Sequence, residues 1–496
     1  MTMVFMSASA RPAPEPATVS DVMAKTMTNW GIRYVFGIVG HSNLGLAESL
    51  HKEEVAGHLT FIGVRHECAA ASGYAKLTGK PAACLAIAGP GATNLLTGLW
   101  DAKVDRAPVL ALTGQVDTQV LGPGAFQEVD LASAFDAVSV FSQTVLPTSR
   151  HAELMTLAIK NATVKRDVAH LIFPDEVQTM PAPETATPGN ANGRLASSKI
   201  TPDTEALDGA ISEIAKAKRP LIIVGYGARK PMDSIIKLAE YLRCPVVTTF
   251  KGKGQMPDSH SLAAGVLGRS GTPIASWFMN ECDLKIVLGA SFSNHTGIEK
   301  SKCTIQVNFE QMALGKLHPV DFPTWGEIDI SVQLMLKKLT QVPQTITAVD
   351  QSEELAQRWK LWREEKVSRG QGLNSARLFR SLSNLLPAKA IIAVDVSNNT
   401  YSFGRYVETK AGQRALMSGC LRSIGFSFPA ATQAEPEFKG RPVFSISGDV
   451  GFGQYLADFT TAVKYKMNIT HILLNNNELG KISKEQMAGK CGRPLW

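Results

Sequence analysis

Two short segments have the composition to hold a divalent cation and a diphosphate. Ser447-Gly448-Asp449-Val450-Gly451-Phe452 follows the apolar run Pro442-Val-Phe-Ser-Ile, and Asn475-Asn476-Asn477-Glu478-Leu479-Gly480 follows Thr470-His-Ile-Leu-Leu. A carboxylate, an amide oxygen and a backbone carbonyl are hard oxygen ligands, the set that octahedral Mg²⁺ takes together with phosphate oxygens and water. Small residues after a strand let backbone N–H groups approach a diphosphate. Alone, each segment reads as a turn or a strand-end loop. Together, each after a buried strand, they are far more specific, because α/β sheets bind ligands at the carboxyl ends of their strands.

A second set of residues lies in the first third of the chain. Phe36-Gly-Ile-Val-Gly40 is a strand-to-turn glycine segment, and Val64-Arg-His-Glu67 leads into a helical stretch that begins at Cys68. Gly89-Pro-Gly91-Ala-Thr-Asn94 sits between a strand and a helix, and Ala125-Phe126-Gln127-Glu128 follows Gly122-Pro-Gly124. A lone Glu at a helix start is most often a partner of the helix dipole. Glu67 gains interest only from the order of the segments around it.

The elements that must position these residues form three αβ blocks. Short apolar runs alternate with helical stretches, which predicts parallel sheets covered on both faces. The first block runs over 18–181, with strands expected in Arg33–Ile38, Ala82–Ala88 and Val109–Thr113. Residues 182–203, rich in Pro, Ala, Ser, Thr and Gly, read as a linker. The second block spans 204–340, with strands at Pro220–Gly225, Pro245–Thr249 and Leu284–Gly289. A second linker covers 341–352. The third block, 353–496, opens on a charged helix near 353–368 and has strands at Ala390–Asp395, Pro442–Ser447 and Thr470–Asn475. It stops soon after its last strand, so the third sheet is expected to be incomplete and the chain a fragment. Residues 1–17 read as a disordered tail.

Composition narrows the function classes. A hydrophobic fraction of 44% and a charged fraction of 19% fit globular domains, and the net charge of +7 is mild for 496 residues. No basic run interleaved with aromatics occurs, so a nucleic-acid partner is not expected. Anionic small molecules suit the charge better. The seven cysteines form no CxxC pair, which argues against zinc and fits a reducing cytoplasm. No apolar run is long enough to span a membrane. Association through a segment beyond the last residue is left undecided.

The pair of segments at 447–452 and 475–480 resembles the thiamine-diphosphate signature, a GDG followed after about two dozen residues by NN. With the ordered glycine and Glu67 segments, the chain resembles the family that includes acetolactate synthase, pyruvate oxidase and benzoylformate decarboxylase. The resemblance runs from about residue 20 to the end. It implies three doubly wound domains: pyrimidine-binding, central and diphosphate-binding. It implies thiamine diphosphate and Mg²⁺ as cofactors, with Asp449 and Asn476 as side-chain ligands and Glu478 as a backbone one. Gly448, Val450 and Gly451 would border the diphosphate. Glu67 would hydrogen-bond the aminopyrimidine and promote loss of the thiazolium proton. Ile424 would hold the cofactor bent. Gly40, Phe126 and Gln127 would lie near the reacting carbon, Gly419 and Ser423 along the pyrimidine, and Gly91 and Asn94 against the cofactor. Active sites shared between subunits imply a homodimer or homotetramer. The sequence departs from the family at Val450, Arg422 and Gln433, each of which stands where glycine is usual.

The implied reaction is decarboxylation of a small 2-oxo acid, pyruvate foremost, through an enamine whose fate separates family members. Ser142-Gln143 stands where the synthases often have Lys-His, which leans toward pyruvate oxidase or quinone-linked pyruvate dehydrogenase. An acetolactate synthase-type carboligase is the alternative within the family, and a degenerate, non-catalytic paralogue the alternative outside it. FAD in the middle block is left open. Gly225-Tyr-Gly227, Phe250-Lys-Gly-Lys-Gly254 and Gly289–Asn294 resemble flavin contacts, but Asn308 and Gly326-Glu327 replace an acidic residue and a Gly-Asp.

Overall fold

The computed structural model describes residues 16–489 apart from 230–231, 270, 294, 342–345 and 369–372. Most of the expected tail, part of the second linker, Asn294 and the last residues lie outside the described ones. Three sheets, all parallel, account for the described strands. By contact density the chain divides into two compact units, residues 1–71 with 80–195, and 72–79 with 196–496.

The first unit is built on a six-stranded sheet. Its spatial order is Thr60–Gly63, Tyr34–Gly37, Ala82–Ala86, Val109–Gln115, Val168–Pro174, Phe141–Thr144. The three strands from Ala82 to Pro174 are buried along their whole length, as expected where helices cover both faces of a parallel sheet. Met23, Met27, Leu50, Met155, Ile159 and Phe173 form one side of that core. The helix Val19–Asn29 starts on a reciprocal cap between Thr18 and Asp21, which satisfies two otherwise orphaned N–H groups.

The second unit holds the other two sheets. One has six strands in the order Phe322–Trp325, Cys303–Asn308, Leu284–Leu288, Pro220–Val224, Val246–Thr248, Ala263–Val266. The other has four described strands in the order Arg414–Leu416, Ile391–Val394, Val443–Gly448, Ile469–Leu474. All nine strands expected from apolar runs are present and parallel. The further strands are mostly short and lie toward the sheet edges.

The charged helix at the start of the third block, Ser352–Ser368, stacks Trp362 on Tyr406 and pairs Arg363 with Glu408 of that block, and it also packs on the central sheet. Leu355, Trp359 and Trp362, spaced by four and three, join the core of the central sheet with Leu221, Ile223 and Phe278. The Trp359 indole N–H donates to the Ala263 carbonyl at 2.7 Å. Burial of one apolar stripe outweighs the charges on the other faces.

Candidate active site

In the second unit a cavity of about 720 Å³ opens at the carboxyl ends of the four-stranded sheet. Asp449, Asn476 and Glu478 all line it, with Gly448, Val450, Gly451, Gly419 and Ile424. The expected metal-ligand residues therefore share one cavity. Asp449 begins the short helix Asp449–Gln454 directly after the strand Val443–Gly448. Asn476 and Glu478 sit in the loop between Ile469–Leu474 and Gly480–Ala488, where Asn477 takes a left-handed φ of 51°. A Cβ on Gly480 would lie 3.2 Å from Asn476 Nδ2, 3.3 Å from Asn398 Nδ2 and 3.4 Å from Glu478 Oε2. Three polar tips thus converge on that glycine.

Residues the sequence reading passed over complete the lining. Asp395, Ser397, Asn398, Asn399 and Thr400 face the cavity, where the strand Ile391–Val394 turns into the helix Asn398–Tyr406. Ser397 caps that helix by accepting from the Asn399 N–H at 3.1 Å. The helix therefore directs its positive end at the cavity, a setting that favours an anion. Asn399 is 7% exposed and its Nδ2 has no hydrogen-bond partner. A buried donor without an acceptor is costly, and a diphosphate oxygen would satisfy it. The signal for this segment was present: it is another apolar strand ending in small polar residues, like the two that were singled out.

The donor chemistry fits Mg²⁺ with a diphosphate. Among the described residues no cluster of three His, Cys, Asp or Glu side chains suited to a metal occurs. A carboxylate, an amide and a backbone carbonyl that leave the remaining positions to phosphate oxygens and water match a hard cation instead.

Glycine is required at Gly451. A Cβ there would overlap Asp395 Oδ2 and lie 3.2 Å from Ile424 Cγ1. Val450, the departure noted from the sequence, is half-buried in the cavity wall. Arg422 lines the rim in a left-handed conformation, φ 60°, which explains why glycine suits this position. Gln433 is buried with Oε1 unpartnered. Ser423 donates its N–H to Ser418 Oγ at 2.9 Å and is half-buried beside the cavity-lining Arg422 and Ile424. Burial pushes the Asp395 carboxyl up to about 7, although several backbone N–H groups, Gly425 among them, pull the other way.

The remaining expected residues belong to the first unit, at the carboxyl ends of its strands. Glu67 opens the helix Glu67–Thr78 and is 4% exposed. Gly40 and Gly91 both abut Ile87: a Cβ would come within 2.7 Å and 2.5 Å of its side chain. Asn94 is exposed on the helix Pro90–Val104. Gln127 takes a φ of 65° and packs against Gly89, whereas Phe126 is 89% exposed. The Glu128 carboxylate accepts N–H bonds from Gly122, Gly124 and Ala125, which hold it below the usual carboxylate range and fix the loop. Ser142, read as a marker of reaction type, bonds His170 Nδ1 at 2.9 Å within the sheet.

Two of the glycine segments that resemble flavin contacts pack against each other. A Cβ on Gly225 would overlap the Gly289 carbonyl, and the Gly227 N–H donates to that same carbonyl at 3.0 Å. Asn308 Oδ1 accepts the Glu310 N–H at 2.9 Å, and Glu327 Oε2 accepts the Ile330 N–H at 3.0 Å at a helix start. Both hydrogen bonds lie within the domain. No helix among the described residues is long and apolar enough to cross a membrane.

Comparison with known proteins agrees with this geometry. Residues 17–134 match the family model of the thiamine pyrophosphate enzyme N-terminal TPP binding domain, 207–336 that of the central domain, and 395–494 that of the C-terminal TPP binding domain. The chain is 35% identical over 484 residues to YdaP of Bacillus subtilis (strain 168), provisionally named as a thiamine pyrophosphate-containing protein. That match covers 95% of this chain and 82% of YdaP. It is 28% identical to the acetolactate synthase large subunit of Lactococcus lactis subsp. lactis (strain IL1403), over 95% of this chain and 83% of that one. It is 26% identical to the pyruvate oxidase of Lactiplantibacillus plantarum, over 93% and 77%.

Proposed function

Because the chain belongs to the thiamine pyrophosphate enzyme family, as an oxidase, decarboxylase or acetolactate synthase-type enzyme, we propose that it decarboxylates a small 2-oxo acid, pyruvate foremost, with thiamine diphosphate and Mg²⁺. The observation that carries the proposal is the cavity at the end of the third sheet. There Asp449, Asn476 and Glu478 meet the start of the helix Asn398–Tyr406 and the unpartnered Nδ2 of Asn399.

When bound, the cofactor supplies an electron sink next to the substrate carbonyl. The chain's own groups do the rest. Asp449, Asn476 and the Glu478 carbonyl would hold the metal, and the Asn399 amide would donate to a phosphate oxygen. Ile424 presents a branched apolar side chain to the cavity and sets the shape available there. Glu67, buried at a helix start, would hold and return a proton at its carboxyl. An assembly of two or four copies with shared sites is part of the proposal. The exposure of Phe126, beside a Gln127 held in a left-handed conformation, is what a face buried by a second copy would present.

The two-carbon unit left after loss of CO₂ can be protonated to an aldehyde, can join a second 2-oxo acid, as in carboligation, or can be oxidised, as in the pyruvate oxidase reading, its electron pair passing to an oxidant and its acetyl group to water or phosphate. Ser142-Gln143, standing where the synthases often have Lys-His, supports the oxidase reading, with carboligation as the alternative.

The test is titration of metal-free protein with thiamine diphosphate and Mg²⁺, then addition of pyruvate with CO₂ and product analysis, Glu67→Gln alongside. CO₂ release that falls at least about a hundredfold in Glu67→Gln is expected. Acetolactate as product identifies the carboligase, acetate or acetyl phosphate the oxidase. Cofactor binding without Glu67-dependent CO₂ release refutes the proposal, and absence of binding restores the non-catalytic reading.

A further inference from the structure

We propose that Asp395 is a positioning residue that locks the turn carrying Ile424 to the turn carrying Asp449, so that the two walls of the cavity keep one spacing. The inference rests on the cofactor reading above and concerns a residue to which nothing so far assigns a role.

Asp395 stands at the carboxyl end of Ile391–Val394, between the strands Arg414–Leu416 and Val443–Gly448. Its backbone N–H donates to the Ile446 carbonyl at 2.8 Å, fixing it to the strand that leads into Asp449. The side chain is fully buried. Oδ1 accepts the Gly425 N–H at 2.7 Å and the Val396 N–H at 2.8 Å. The Phe426 and Ser427 N–H groups also bear on the carboxyl.

Those N–H groups open the helix Ser427–Glu437, whose own N-cap residue, Phe426, has no side-chain hydrogen bond. The first N–H groups of a helix need acceptors, and a residue distant in sequence provides one here. The other oxygen, Oδ2, has no hydrogen-bond partner. It occupies the place that a Cβ on Gly451 would need, next to Ile424 Cγ1. Gly425 is held on its far side as well: its φ is +86°, and a Cβ there would overlap the Tyr455 ring and lie 3.0 Å from the Gly451 carbonyl.

One carboxyl thus touches the strand end, the Ile424–Gly425 turn and the helix Asp449–Gln454. A core designed only to be stable would place an apolar side chain there, since a buried carboxyl with one unpaired oxygen is costly. Its retention is explained if the spacing it enforces matters to the ligand.

The experiment compares wild type, Asp395→Ala and Asp395→Asn as full-length proteins. Hydrogen–deuterium exchange without cofactor is followed in peptides covering 421–428 and 391–394. Thiamine diphosphate with Mg²⁺ is then bound, and exchange of its C2 proton is timed by quench and NMR. Inorganic pyrophosphate with Mg²⁺ probes the diphosphate end alone. In Asp395→Ala, exchange at 421–428 should rise on the order of tenfold or more, as expected on losing bonds to a carboxyl, with 391–394 unchanged. C2-proton exchange should slow by about tenfold, with pyrophosphate affinity within about threefold of wild type. Asp395→Asn keeps an oxygen for the Gly425 N–H and should restore both readouts.

An unchanged 421–428 segment, equal loosening of 391–394, or failure of Asn to rescue overturns the proposal. If Asp395→Ala does not fold, Asp395→Asn decides: a protected turn with normal C2 exchange supports the role, and loss of either overturns it. A wild-type protein that binds no thiamine diphosphate overturns the cofactor reading and the role built on it. That result is distinguishable, because the exchange arm still reports whether Asp395 holds the turn.

Discussion

Replacing Asp395 by Asn should stabilise the protein at alkaline pH and leave it nearly unchanged at acid pH. Burial raises the carboxyl from the ordinary 3.8 to about 7. Below the unfolded value both states carry the neutral acid, so no penalty exists. As pH rises, the unfolded chain ionises first and the folded form is left holding its proton, so stability falls until the folded group also ionises near 7. Above that the penalty is constant. At about 1.4 kcal/mol for each pH unit between the two values, the full penalty is about 4 kcal/mol. Asn has the shape of the protonated acid and keeps an oxygen for Gly425. The advantage of Asp395→Asn should therefore grow by about 2–3 kcal/mol between about pH 5 and pH 8. Urea unfolding of both proteins without cofactor, followed by tryptophan fluorescence at several pH values, measures it; the groups common to both proteins cancel in the difference. A difference that stays flat over this range, or that favours the wild type as pH rises, would falsify the assignment of a raised acid at this position.

Gly451→Ala should destabilise the wild type by about 1–3 kcal/mol by overpacking against Asp395 Oδ2. In an Asp395→Ala background the cost should shrink or reverse, since Ala is otherwise the better helix residue; equal costs in both backgrounds would show that the contact is unimportant. Arg422→Gly should raise stability by about 1 kcal/mol by relieving the left-handed φ of 60°, and a lower melting temperature would contradict the strain. His170, buried between the Thr113 and Ser142 hydroxyls, is depressed to about 3 by burial. Its imidazole should stay neutral in nitrogen NMR shifts down to about pH 5, and the first unit should lose stability as pH falls from 6.5 toward 3. Titration of this ring near its ordinary value would refute the burial argument.

What could be read from the sequence depended on whether a residue's task is local. Asp449, Asn476 and Glu478 follow long apolar strands, and strand ends of parallel sheets are where ligands bind, so their shared cavity was legible. The short strands Ala263–Val266 and Phe322–Trp325 were not, because four residues carry too little periodicity to separate a strand from a loop. The helix Ser352–Ser368 was read by its charges, although Leu355, Trp359 and Trp362 already marked the buried stripe that seats it on the central sheet.

Val450 drew notice as a missing glycine, yet the position that tolerates no side chain is Gly451. Its constraint comes from Asp395, which lies far away in sequence on a neighbouring strand. Asp395 itself read only as the end of an apolar run. Its meaning arises from three segments that meet in space: a helix without a local cap, a glycine without room for a Cβ, and a carboxyl with one oxygen unpaired. Local patterns therefore locate residues that line such a cavity, whereas the residues that set the distance between its walls emerge only from packing. For that reason the double substitution at 395 and 451 probes the site more sharply than either ligand replacement. It asks whether two positions that share no motif behave as one contact.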